Sequence, residues 1–144
     1  MMEKLLKAVI IDDNKDYLFS METFLSRNGF TVHTASNGKD GLDLIKNERP
    51  DVILLDVMME SMLAGLEVCK AVRSDPQLEY IPIVGISGMG EELGIKYEQY
   101  RDEEYFTPDE FMEKPVDKQQ LRAVIEKAIE KAKARKKPKG WRFV

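Results

Sequence analysis

The stretch LLKAVIIDDN, residues 5–14, decides the fold of this chain. A mainly apolar run ends abruptly in two acids, which is typical of a fully buried strand that leads into a polar site. Four more short segments of strand character follow, at 30–34, 51–55, 81–86 and 110–113. They alternate with longer segments of helical period, so the sequence predicts a doubly wound α/β fold, a five-stranded parallel sheet covered by helices on both faces.

Apolar residues recur at spacings of three and four between the strand segments, which predicts helices that pack on the sheet. The pattern is carried by Leu18, Met21 and Leu25, by Leu42 and Ile45, by Leu66, Cys69 and Val72, and by Leu121, Val124, Ile125, Ala128 and Ile129. Gly29 and Pro50 predict where the first two helices end. A fourth helix is expected between Gly88 and Asp109, in a segment rich in acids and aromatic residues.

Length and composition restrict the class of protein. The 144 residues fit one domain, and a single cysteine favours a reducing, cytoplasmic location. The sequence has no apolar run near the roughly 20 residues of a membrane span. The net charge of −4 argues against nucleic-acid binding, although the end of the chain is basic. We therefore predict a domain over residues 1–133 and a basic tail over 134–144.

Polar residues stand at the carboxyl ends of the predicted strands. In open parallel sheets this edge carries the binding site, because residues distant in sequence converge there. An acid at such a position also serves commonly as a helix N-cap, and for each acid alone that alternative stays open. The residues are Asp12, Asp13, Asp56, Ser87 and Lys114.

Together these residues indicate a site that handles phosphoryl groups. Two carboxylates 4 Å apart repel by about 4 kcal/mol at an effective dielectric of about 20, so converging acids need a counter-charge. Mg²⁺ suits a set of oxygen ligands, and Lys114 offers a charge for a phosphoryl group. No glycine-rich phosphate loop follows the first strand, which disfavours nucleotide binding. Asp56 is then the candidate to accept the phosphoryl group itself.

Four motifs in order make the chain resemble a response-regulator receiver domain of two-component signalling. They are VIIDD at 9–13, LLDVMM at 54–59, ISG at 86–88 and FMEKP at 111–115. The resemblance implies a flavodoxin-like fold with strand order 2-1-3-4-5.

The resemblance also implies roles for the acids. Asp56 would accept a phosphoryl group from a phosphohistidine on a sensor histidine kinase or a phosphotransfer protein. Asp13, Asp56 and the backbone carbonyl of Met58 would ligate Mg²⁺, and Asp12 would act mainly through water.

A switch is implied by the same family pattern. Ser87 would turn toward the phosphoryl oxygens, Lys114 would pair with them, and Phe111 would follow Ser87. Their movement would change an output face formed by the fourth helix, the fifth strand and the last helix. The segment 90–109 is longer and more acidic than is usual in the family, and Glu60 stands where proline is frequent.

Three functions compete on these grounds. The first is a stand-alone receiver that signals through an unknown downstream protein, because the domain fills nearly all of the chain. Phosphorylation-dependent homodimerisation is an open variant of it. The second is a pseudo-receiver, an interaction module that takes no phosphate. The third is an Asp-nucleophile phosphatase, a class that normally has a second Asp where Met58 stands. The receiver accounts for all four motifs, and it is a signalling protein rather than an enzyme.

Overall fold

The computed structural model of the protein describes residues 5–56, 59, 62–87 and 108–135. Strands and helices alternate from the start of this part of the chain. The elements are β1 Leu6–Ile11, α1 Lys15–Arg27, β2 Phe30–Ala35, α2 Gly38–Glu48, β3 Val52–Asp56, α3 Met62–Ser74, β4 Ile83–Ser87, β5 Glu110–Glu113 and α4 Lys118–Arg135.

The five strands form one parallel sheet in the order β2-β1-β3-β4-β5, which confirms the predicted fold and topology. Each strand begins and ends within two residues of its predicted range. The register places Ile11 beside Leu55, Asp56 beside Ile86, and Ser87 beside Glu113. The carboxyl ends of β1, β3, β4 and β5 therefore meet at one edge of the sheet.

A hydrophobic core lies on each face of the sheet, which explains why the central strands are apolar throughout. Alternate strand residues point to opposite faces, and β3 is buried along its whole length. One core joins the sheet to α1 and α4 through Ala8, Ile10, Leu18, Met21, Leu25, Val52, Leu54, Leu121, Ile125 and Ala128. The other joins it to α2 and α3 through Val9, Ile11, Ile45, Ile53, Leu55, Val68, Cys69 and Val72.

The helix ends also agree with the sequence. Helix α1 ends at Arg27, and Gly29 follows in the left-handed region with φ of 89°. Glycine carries no Cβ penalty in that region, so it stops the helix at little cost. Helix α2 ends at Glu48, two residues before Pro50.

Two predictions lie outside the described residues. The fourth helix expected between Gly88 and Asp109 falls almost entirely in 88–107, and most of the predicted basic tail falls in 136–144. Helix α4 continues to Arg135, and the domain limit at residue 133 stays a prediction. None of the described helices has the length and apolar character required to cross a membrane.

Candidate functional site

Three of the predicted site residues stand at the carboxyl edge on separate strands. Asp12 directly follows β1, Asp56 is the last residue of β3, and Lys114 directly follows β5. Because β1 and β3 are neighbours, the two carboxylates lie side by side. Strand β4 separates β3 from β5, so the long side chain of Lys114 is needed to reach across it.

The acids Asp12, Asp13 and Asp56 form a compact cluster. Each offers a carboxylate oxygen, and these oxygens all lie within 4.8 Å of one another. Asp12 and Asp56 are only 1% and 4% exposed, whereas Asp13 is open to solvent. At such distances each pair of charges repels by roughly 3–4 kcal/mol at an effective dielectric of about 20. The cluster therefore concentrates negative charge at one place, where two of its three carboxylates have little contact with water.

Lys114 supplies a positive charge to this cluster. Its Nζ lies 2.7 Å from Oδ2 of Asp12 and 3.5 Å from Oδ2 of Asp56. Burial by itself lowers the pKa of Lys114, but the polar contact with Asp12 and the charges of Asp56 and Asp12 outweigh it and raise the pKa. The ammonium is therefore held in its charged form beside both acids.

The residues at this edge fit a divalent cation. All ligand atoms of the cluster are oxygens, the type that Mg²⁺ prefers. Oδ2 of Asp12 is buried, and the Lys114 ammonium lies against it at 2.7 Å. One ammonium does not use all the acceptor positions of a carboxylate, so this group, next to two more acids, can also serve a cation.

Sequence reasoning missed two residues of this site, Asn14 and Tyr17, and Tyr17 lies against Lys114. Asn14 caps α1, where its Oδ1 accepts from the backbone N–H of Tyr17 at 3.0 Å. The ammonium of Lys114 lies 4.4 Å from the centroid of the Tyr17 ring. Burial, and then the charges of Asp12 and Asp56, raise the pKa of Tyr17 well above its ordinary value. The cap at Asn14 was a recognisable signal, but nothing local predicts the contact with Lys114.

Of the remaining predicted residues, the structure describes Phe111 and the backbone of Ser87. Phe111 is half-buried in β5 and packs over Gly85 of β4, where a Cβ would come within 3.0 Å of its ring. The backbone of Ser87 ends β4 at the same edge as the acids. Met58, whose carbonyl is a predicted ligand, lies outside the described residues.

Another buried carboxylate, that of Asp109, lies at the opposite edge of the sheet. It precedes β5, and its Oδ2 accepts from Arg73 at 2.8 Å and from the backbone N–H of Ile83 at 2.9 Å. Its other oxygen, Oδ1, pairs with Arg135 near the end of α4. Arg73 also donates to the carbonyls of Glu79 and Ile81, each at 2.8 Å. This cluster ties α3, β4, β5 and α4 together.

A doubly wound parallel sheet of this order, with acids and a lysine at its carboxyl edge, is the architecture of a receiver. The model of the response regulator receiver domain family matches residues 8–126, and the chain belongs to that family.

Curated relatives agree with this assignment. The chain is 44% identical over 68 residues to the response regulator MprA of Mycolicibacterium vanbaalenii, covering 47% of this chain and 29% of that relative. It is 36% identical over 87 residues to the transcriptional regulatory protein AfsQ1 of Streptomyces coelicolor, covering 60% and 37% respectively. The chain thus spans only about a third of the length of these relatives.

A response regulator receiver domain protein from Clostridium thermocellum has a similar structure, with a TM-score of 0.73 at 24% identity. The likeness covers 90% of this chain and 98% of that one, and it supports the fold alone.

Proposed function

We propose that the protein accepts a phosphoryl group on Asp56 from a phosphohistidine of a sensor histidine kinase or a phosphotransfer protein, in a Mg²⁺-dependent reaction. The observation that carries this proposal is the position of Asp56. Asp56 is the last residue of β3, and its carboxylate belongs to the acidic cluster, with the ammonium of Lys114 at 3.5 Å. An acid in this position has a nearby positive charge to offset the charge of an incoming phosphoryl group.

The proposed reaction transfers the phosphoryl group directly from a histidine nitrogen to a carboxylate oxygen. A carboxylate oxygen of Asp56 forms a bond to phosphorus, the bond from phosphorus to the donor nitrogen breaks, and the histidine takes the electron pair. The product is a mixed anhydride between the aspartyl carboxyl and phosphate. Lys114 would pair with the phosphoryl oxygens and lessen the repulsion between them and the acids.

Asp12, Asp13 and Asp56 would hold the Mg²⁺, with the carbonyl of Met58 as a further predicted ligand and Asp12 acting mainly through water. When bound, the ion supplies charge neutralisation for the acids and the phosphoryl oxygens. Support for this assignment comes from the all-oxygen cluster and from its three carboxylates, whose charge one ammonium does not balance.

The readout would pass through Ser87 and Phe111. We propose that the Ser87 hydroxyl turns toward the phosphoryl oxygens and that the Phe111 ring follows it. The contact of that ring with the backbone at Gly85 supports the idea, because a side chain packed over β4 will respond to a shift at the end of β4. The output face would comprise β5, the last helix α4 and the further helix predicted between Gly88 and Asp109. This face would bind a downstream protein.

Intact-mass measurement tests the phosphoacceptor role. The protein is incubated with acetyl phosphate and Mg²⁺, and we expect a gain of about 80 Da, the mass of one phosphoryl group, that Asp56→Asn abolishes. The matched control is Asp43→Asn, the same change at an exposed acid of α2 outside the cluster, which should gain the same mass.

Two outcomes would contradict the proposal. An adduct on Asp56→Asn would move the acceptor elsewhere, and absence of an adduct from both acetyl phosphate and a phosphohistidine donor would favour the pseudo-receiver. Turnover of a phosphate ester without a stable adduct would favour the phosphatase.

We also propose that the protein signals in the cytoplasm through contacts with a downstream protein. Size-exclusion chromatography with and without acetyl phosphate would show whether phosphorylation causes dimerisation.

A further inference from the structure

A series of contacts leads from Asp12 through Asn14 and Tyr17 to Lys114 and back to Asp12. Tyr17 has no role assigned so far. Oδ1 of Asp12 accepts from the backbone N–H of Asn14 at 2.9 Å, and Oδ1 of Asn14 accepts from the backbone N–H of Tyr17 at 3.0 Å. The Tyr17 ring faces the Lys114 ammonium at 4.4 Å, and that ammonium returns to Asp12 at 2.7 Å. Each of these groups is thus in contact with the next.

The ring of Tyr17, rather than its hydroxyl, makes the useful contact. Within the described residues the buried hydroxyl has no hydrogen-bond partner, so no bond to oxygen explains why the side chain points here. The face of an aromatic ring attracts a cation through its quadrupole, and the attraction strengthens where water is excluded. The half-buried Lys114 ammonium is in such a place.

A lysine at this position needs support because its stem is flexible. Ion pairs alone would let the ammonium follow whichever carboxylate is nearer, and here it lies closer to Asp12 than to Asp56. Tyr17 belongs to the first turn of α1, and its backbone is fixed by the Asn14 cap. A rigid ring under the ammonium limits the positions it can occupy, which reduces the entropy lost when it pairs with a phosphoryl group.

We propose that Tyr17 is a positioning residue whose ring face holds the Lys114 ammonium at the acidic cluster, ready for the phosphoryl group. This inference rests on the proposed phosphoacceptor function of Asp56. It extends that function by assigning a residue of α1 to the placement of the lysine.

Two substitutions separate the ring from the hydroxyl. Tyr17→Phe keeps the aromatic face, and Tyr17→Leu removes it while remaining apolar. With acetyl phosphate at saturating Mg²⁺, we expect Tyr17→Phe to be phosphorylated within about twofold of the wild-type rate. Tyr17→Leu should be about threefold to tenfold slower, the range expected for loss of a partly desolvated cation–ring contact. Equal rates for the two variants would overturn the proposal, since the ring would then have no separate effect.

A double-mutant cycle tests whether the effect passes through the lysine. In a Lys114→Met background, Tyr17→Phe and Tyr17→Leu should be phosphorylated at equal rates, because the ring has no cation to hold. If the defect of Tyr17→Leu persists undiminished in that background, Tyr17 acts through general packing and the proposal is wrong. Thermal unfolding of every variant shows which are folded, and Tyr17→Met replaces Tyr17→Leu if the latter is not.

A second readout does not require phosphorylation. In protein labelled with ¹³C at lysine Cε, the Lys114 signal is assigned by its loss in Lys114→Met. The Tyr17 ring current should shift that signal upfield in the wild type and in Tyr17→Phe, and the signal should move downfield in Tyr17→Leu. If the signal does not move, the ring contact is refuted. If it moves while no form takes up phosphate, the contact stands and the phosphoacceptor function fails.

Discussion

Buried carboxylates lie at both edges of the sheet, at the amino ends of the strands (the amino edge) and at their carboxyl ends (the carboxyl edge). Their negative charge is balanced differently at the two edges. At the amino edge, the one carboxylate of Asp109 meets two guanidinium groups, from Arg73 and Arg135, and a backbone N–H. At the carboxyl edge, three carboxylates gather, and the ammonium of Lys114 contacts two of them. At the first edge the carboxylate is fully paired and positive charge is in excess, whereas one ammonium cannot balance three acids at the second.

This difference distinguishes a carboxylate suited to stabilising the fold from a cluster suited to binding a ligand. A buried charge that is fully paired costs stability chiefly when a partner is removed. A buried cluster with surplus charge costs stability as it stands, and it gains when a cation or a new partner arrives. The amino edge should therefore respond to mutation, and the carboxyl edge to ligands.

The largest expected effect is the loss of the amino-edge carboxylate. Asp109→Ala removes the carboxylate that pairs with the buried guanidinium of Arg73, and we expect the free energy of unfolding to fall by about 3 kcal/mol in urea titrations. Asp13→Asn, which neutralises an acid of the opposite edge, is the comparison variant. If Asp13→Asn loses as much stability as Asp109→Ala, the contrast between the two edges fails.

Mg²⁺ should produce an effect of similar size at the carboxyl edge alone. A ligand that binds only the folded state at about 100 times its Kd raises the free energy of unfolding by about 2.7 kcal/mol. We expect this gain in the wild type, an equal gain in Asp109→Ala, and a much smaller one in Asp13→Asn. Calorimetric melts with Mg²⁺ and with K⁺ at matched ionic strength measure it. A similar gain in all three proteins would place the ion elsewhere.

Alkaline pH should weaken the carboxyl edge through Tyr17 and Lys114. The folded-state pKa of each is raised, so the unfolded chain releases these protons first and stability falls as pH rises above about 10. Between about pH 10 and 11 the raised pKa of Tyr17 should lower the free energy of unfolding, by less than about 1 kcal/mol because the side chain is partly open to solvent.

Tyr17→Phe removes the phenol and isolates that contribution. The difference in stability between wild type and Tyr17→Phe should shift in favour of the variant on going from about pH 9 to about pH 11. An unchanged difference would show that the Tyr17 hydroxyl titrates alike in the folded and unfolded chain.

The smallest expected effect is relief of repulsion without any ligand. In the absence of Mg²⁺, Asp13→Asn removes one of three clustered charges, and we expect a gain of up to about 1 kcal/mol, limited because Asp13 is exposed to solvent. Asp43→Asn makes the same chemical change on α2 and should leave stability within about 0.5 kcal/mol. A loss of stability in Asp13→Asn would mean that the acid stabilises the fold.

Sequence reasoning reached the fold because its signals are local. Apolar runs reflect strands that are buried on both faces, and helical spacing reflects helices that are buried on one face. All five strands lie where the apolar runs predicted them. It also predicted that the acids and the lysine lie at one edge, since the carboxyl ends of parallel strands always share an edge. These residues are Asp12, Asp13, Asp56 and Lys114. It overlooked Tyr17, because an aromatic residue in a first helical turn is usually ordinary packing.

The sequence by itself determined which chemical groups stand at the carboxyl edge and in what strand context, since period and position along a strand are properties of neighbouring residues. Only the tertiary structure decided how charges on distant elements are matched. It brings Lys114 nearer to Asp12 than to Asp56 and sets it against the Tyr17 ring. It also encloses Asp109 between Arg73 and Arg135. These distances follow from how helices and strands pack, and no local pattern encodes a separation between side chains that meet only in the folded chain.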